Sequence, residues 1–137
     1  MCFRRHNKGI ARSTLIIEDE YDVQDLLHSL LKLFYDDIRP EEHTPSYVGG
    51  SSRIDFILKT EKCAIEVKTT LTGLTDNEIG EQLIIDIEKY KENKDCSRLF
   101  CFVYDPEYKL KNPKGIMNDL NNRHQDFVEV IIKPELI

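Results

Sequence analysis

The sequence predicts an α/β fold: a mixed β-sheet of four to five strands flanked by helices, in α-β-β-β-α-β order plus a short extra helix and a closing strand. Three observations predict it. An amphipathic helical repeat occupies Glu18 to Phe34, two strand-like runs follow around a short polar turn, and helical and strand-like segments alternate from there on. A chain of 137 residues suits one domain with one core.

Residues 1–17 read as a basic N-terminal arm and residues 18–137 as the domain. In the first helix Val23, Leu26, Leu27, Leu30, Leu31, Leu33 and Phe34 recur at helical spacing, with acids, glutamine and histidine on the other face. Arg39 to Ser52 contains two prolines, paired glycines and serines, and reads as a long irregular connection in which only Tyr47-Val48 suits a short strand. Arg53 to Leu58 and Cys63 to Thr70 read as two strands of a hairpin around the polar stretch Lys59-Thr60-Glu61-Lys62. Thr75-Asp76-Asn77-Glu78 has capping-box form, and Ile79, Leu83, Ile87 and Tyr90 carry a second helix to about Lys91. Leu99 to Tyr104 is an unbroken apolar run, as expected of a central strand buried on both faces. Asn112-Pro113 opens a short third helix as cap and first residue, and Phe127 to Ile132 supplies the last strand.

A composition of 40% apolar and 32% charged residues is that of a globular protein, and no run approaches the ~20 apolar residues that cross a bilayer. The basic start is not followed by an apolar stretch of signal-peptide length, so the expected setting is cytoplasmic, away from membranes. Cys2, Cys63, Cys96 and Cys101 lack metal-finger spacing and read as reduced thiols. Of the net charge of −6, Arg4, Arg5, Lys8 and Arg12 contribute +4, which leaves the rest at −10 by difference. An acidic body argues against gripping nucleic acid by overall charge, and the arm is either a solvated terminus or a segment that touches phosphate.

The chemistry gathers in the hairpin. Strand alternation puts Ala64, Glu66 and Lys68 on one face and Cys63, Ile65, Val67 and Thr69 on the other, so two charged groups stand where apolar ones belong. With the turn centred between Thr60 and Glu61, Leu58 faces Cys63 and Asp55 faces Glu66. Opposed residues have Cβ atoms about 5 Å apart, where two carboxylates repel unless a cation or a shared proton lies between them. A loop of odd length would instead send the two acids to opposite faces. Mg2+ takes hard oxygen ligands, often from one or two carboxylates, so Asp55 and Glu66 suffice as anchors, with the Val67 backbone carbonyl as a further ligand and Mn2+ as a substitute ion. Lys68, on the face of Glu66, is placed to orient or activate a water and to balance charge on a reacting phosphate. That is hydrolytic phosphodiester chemistry.

Asp55, ten intervening residues and Glu66-Val67-Lys68, with an acid-bearing helix before and a glutamine-bearing helix after, resemble the PD-(D/E)XK nuclease superfamily. More closely, Glu20-Tyr21-Asp22-Val23-Gln24-Asp25-Leu26-Leu27, Thr44-Pro45-Ser46-Tyr47, Gly49-Gly50-Ser51-Ser52-Arg53-Ile54-Asp55-Phe56, Ile65-Glu66-Val67-Lys68, Gly80-Glu81-Gln82-Leu83, Tyr90 and Tyr104-Asp105-Pro106 resemble the DpnII/MboI-type nuclease domain. Ile54 stands where the superfamily motif has proline. The resemblance implies a restriction-endonuclease-like core, DNA as substrate, Mg2+ on Asp55 and Glu66, a water assisted by Lys68, Glu20 in the metal shell, and a role in restriction or anti-phage defence. It also puts Gln82 near the site, since a glutamine recurs there in relatives.

Arg53 shares the face of Asp55 and either binds phosphate or pairs with an acid. His28, His43 and His124 have no partner at ligand spacing. Two other readings compete with a DNA endonuclease: a junction-resolving nuclease for branched DNA, and a non-catalytic module that uses the fold to bind protein or nucleic acid. The complete Asp55, Glu66 and Lys68 set weighs against the second. No separate sequence-reading domain is visible, so the expected arrangement is a homodimer or a targeting partner or domain.

Overall fold

The computed structural model describes residues 15–45 and 51–135, apart from the side chains of 41–45 and 51–54. In chain order the elements are α1 (Glu20–Leu31), β1 (Ile38–Pro45), β2 (Ser51–Leu58), β3 (Cys63–Thr69), α2 (Asp76–Lys91), β4 (Arg98–Tyr104), α3 (Pro113–Arg123) and β5 (Val128–Lys133). The strands lie side by side as β1-β2-β3-β4-β5, antiparallel from β1 to β3 and parallel from β3 to β5. Each parallel step is made by a crossover helix, and both steps advance in one direction across the sheet. Right-handed crossovers therefore lay α2 and α3 on the same face and leave the other to α1.

Alternation along the strands divides the core accordingly. Ile57, Ala64, Leu99, Cys101, Val103 and Val130 pack with Ile79, Leu83 and Ile87 of α2 and Leu120 of α3, whereas Phe56 and Val67 pack with Val23 of α1. Helix ends follow local chemistry. Thr75 and Glu78 form the expected capping box, with Thr75 N–H donating to Glu78 Oε2 at 2.7 Å, and Asn112 caps α3 ahead of Pro113 by accepting from Gly115 N–H at 3.0 Å. The turn between β2 and β3 has no glycine, and Lys62 takes the left-handed conformation itself at φ +55°. Cys63, Cys96 and Cys101 are free thiols, the last two buried. Among the described residues no helix is long and apolar enough to cross a membrane.

The structure corrects three expectations. The stretch read as an irregular connection from Arg39 contains β1, which pairs with β2 from Ile38↔Leu58 to Pro45↔Ser51. It is the outermost strand, where proline costs no ladder bond on its open side, so Pro40 and Pro45 did not mark a loop. Tyr47-Val48 lies outside the described residues. The first helix stops at Leu31 rather than Phe34, and Leu33 and Phe34 are 74% and 78% exposed because the chain turns there toward β1. In β4 only Leu99, Cys101 and Val103 are buried; Phe100, Phe102 and Tyr104 are half-covered, since α1 is short and packs over β3 and β1.

Candidate active site

Pairing of β2 with β3 runs through Leu58↔Cys63, Ile57↔Ala64 and Phe56↔Ile65, the register the symmetrical turn predicts. One residue further along, Asp55 and Glu66 come next in that register, each 6% exposed. Asp55 Oδ2 accepts the backbone N–H of Val67 at 2.8 Å. The carboxylate thus takes a main-chain donor that would otherwise be orphaned in the interior. Ala64 packs against the α2 side, so alternation sends Glu66 and Lys68 to that side as well.

There α2 meets them. The Tyr90 hydroxyl donates to Glu66 Oε2 at 2.5 Å, in keeping with the need of a buried phenol for a partner. Lys68 Nζ lies 3.2 Å from Glu66 Oε1 and 3.0 Å from Asp86 Oδ2, and all three side chains are at most 15% exposed. The Asp86 contact is a short, largely buried ion pair. Burial, then the charges of Asp55 and Asp86, push the Glu66 carboxyl up to about 8. Burial works against the Lys68 ammonium, but Glu66 and Asp86 outweigh it and hold the amine well above the ordinary lysine range. Lys68 is therefore a fixed positive charge.

Among the residues the sequence singled out, Asp55, Glu66 and Lys68 are brought together by β2 and β3. Val67 contributes its N–H to Asp55 while its side chain is buried on the α1 face. Gln82 is half-buried on α2, one turn before Asp86. Glu20 begins α1, in the layer on the other side of the sheet, half-buried. Arg53 lies in β2 opposite His43, and its side chain is outside the described residues. Asp86 and Tyr90 escaped notice as site residues. Their signal was an acid three residues after Leu83 and one before Ile87, on the apolar stripe of α2, with a tyrosine one turn on.

Three carboxyl groups, Glu66's own among them, gather with one ammonium, so the set of Asp55, Glu66, Asp86 and Lys68 carries −2 when fully ionised, with little exposure to water. A proton on Glu66 relieves part of that charge; a divalent cation would relieve all of it. The donors are hard oxygens, which fits Mg2+ or Mn2+ and not a soft metal. Among the described residues no group of three or more His, Cys, Asp or Glu side chains forms a ready-made metal cage, and an ion held by two carboxylates plus water and phosphate needs none. The 460 Å³ groove between α2 and α3, lined by Gly80, Ile84, Ile116 and Leu120, is not where these charges converge.

A family model for the DpnII-MboI restriction endonucleases (REase_DpnII-MboI) matches residues 2–135. No curated protein and no solved structure matches the chain.

Proposed function

The chain belongs to the DpnII-MboI restriction endonuclease family, whose members are DNA-cleaving hydrolases, and from that premise we propose a Mg2+-dependent endonuclease that hydrolyses DNA phosphodiester bonds in restriction or anti-phage defence. The observation that carries the reading is the buried set of Asp55, Glu66, Asp86 and Lys68, which carries −2 when fully ionised.

Asp55 and Glu66 would hold the ion, with Mn2+ able to take its place. Both backbone groups of a strand residue point toward the same neighbour, so the N–H bond from Val67 to Asp55 supports the Val67 carbonyl as a third ligand. When bound, the cation supplies Lewis-acid polarisation of the scissile phosphate. Tyr90 fixes the orientation of the Glu66 carboxylate. Lys68, held in its ammonium form by Glu66 and Asp86 in the cation-free site, serves as a hydrogen-bond donor that orients the attacking water and balances charge growing on the phosphate. Arg53 and Gln82 serve the substrate, and DNA is the partner; Glu20, in the layer across the sheet, is left out of this metal shell. One site of this kind cuts one strand at a time, which favours a homodimer or a targeting partner for double-strand cleavage.

The test uses supercoiled plasmid with wild type, Asp55→Asn and Lys68→Ala, in Mg2+, in Mn2+ and in EDTA. Wild type cuts in either metal and not in EDTA. Asp55→Asn keeps an oxygen for the Val67 N–H, so it folds but does not cut. Lys68→Ala binds duplex in Ca2+ within a few-fold of wild type and loses about 10²-fold in rate. Cutting in EDTA, or equal rates for all three proteins, rejects the assignment.

A further inference from the structure

Lys68 carries its charge on a flexible four-carbon stem, and two carboxyl groups hold it, Glu66 at 3.2 Å and Asp86 at 3.0 Å. These two holds are not equivalent. A divalent cation on Glu66 draws on the same carboxylate that Lys68 uses and places like charge beside the ammonium. Attraction to Glu66 then weakens while repulsion from the cation grows, and a lysine with no other anchor swings toward solvent. Asp86 is the anchor that the cation does not compete for through Glu66. It also cannot follow Lys68 outward, because Ile79, Leu83 and Ile87 on the same helix are fully buried in the core. One turn on, Tyr90 fastens Glu66 from the same helix.

We propose that Asp86 is the positioning residue for Lys68, an ion-pair anchor on α2 that keeps the ammonium in the site when Glu66 is committed to a cation. The proposal rests on the reading above that Lys68 acts on the water and phosphate. It differs from a structural role, in which Asp86 would only tie α2 to the sheet, and from a metal-ligand role, in which it would hold the ion itself. Because the contact joins opposite charges, the isosteric amide, which keeps the shape and loses the charge, is expected to weaken it.

Asp86→Asn, Asp86→Glu, Lys68→Ala and the double variant Asp86→Asn/Lys68→Ala test this in two arms. In the cation-free protein, and again with Ca2+, nitrogen NMR selective for lysine ammonium groups is expected to show a protected Lys68 signal in wild type that is lost in Asp86→Asn. In plasmid cutting with Mg2+, Asp86→Asn is expected to lower kcat about 10-fold or more, with KM and duplex affinity in Ca2+ within about two-fold. Asp86→Glu, which keeps the charge, is expected to retain more activity. Adding Asp86→Asn to Lys68→Ala is expected to cost nothing further. Independent losses that multiply in the double variant, loss of Ca2+-induced thermal stabilisation in Asp86→Asn, or an unchanged Lys68 signal each overturn the proposal. So does undiminished cutting by Asp86→Asn while wild type cuts. If wild type itself cuts nothing, the endonuclease reading fails and this proposal fails with it.

Discussion

Glu66 is buried among like charges and, without a cation, keeps its proton up to about pH 8, whereas the same carboxyl ionises near its ordinary value of 4.5 in the unfolded chain. Between those values the folded state binds the extra proton, so the contribution of Glu66 to stability falls as pH rises through the window. The sign is opposite to that of a salt-bridged surface acid, whose pairing is lost on acidification. Thermal unfolding in EDTA from pH 5 to pH 8 is expected to show a declining midpoint for wild type and a flatter profile for Glu66→Gln. Equal slopes in the two proteins would mean that the proton is held elsewhere.

At the scale of the element, α2 has two tasks. Its stripe of Ile79, Leu83 and Ile87 closes the larger part of the core, and the same helix delivers Asp86 to Lys68 and Tyr90 to Glu66 on β3. Its start is fixed by the reciprocal bonds between Thr75 and Glu78, at 2.7 Å and 3.4 Å. Thr75→Ala removes one side of the box and is expected to cost about 1 kcal/mol, read as a shift in denaturant midpoint with unchanged slope. Leu83→Ala, in the buried stripe, is expected to cost about 2–5 kcal/mol by the same measurement. Comparable losses from the two changes would place the stability of α2 in its cap and not in its packing.

For the whole molecule, the proposed cation binding would be coupled to folding. Asp55 and Glu66 come from different strands and meet only through the β2–β3 pairing, so the unfolded chain has no such site. Mg2+ or Mn2+ is therefore expected to raise the unfolding midpoint, by about 2.7 kcal/mol in stability at a hundred times the dissociation constant, and EDTA to reverse it. Asp55→Asn is expected to be at least as stable as wild type in EDTA, because one repelling charge is gone, and to show no rise with metal. A full metal response in that variant would move the ion away from Asp55.

What the sequence determined by itself is local. A four-residue turn and the two-residue period of a strand were enough to set Asp55 next to Glu66 and to put Lys68 on the same side, because neighbouring residues in a strand have no choice of face. The caps at Thr75 and Asn112 were equally legible, since each is satisfied within one helical turn. Tertiary structure decided the rest. Tyr90 reaches Glu66 across 24 residues of chain, and Asp86 reaches Lys68 only because a right-handed crossover lays α2 over that face of β3. Period and composition cannot say which face a crossover helix will cover. Nor could they show that Pro40 sits in an outermost strand, where its missing donor costs nothing, or that α1 would leave half of β4 uncovered. Those outcomes depend on which element lies beside which, and that is settled by the packing of the whole chain.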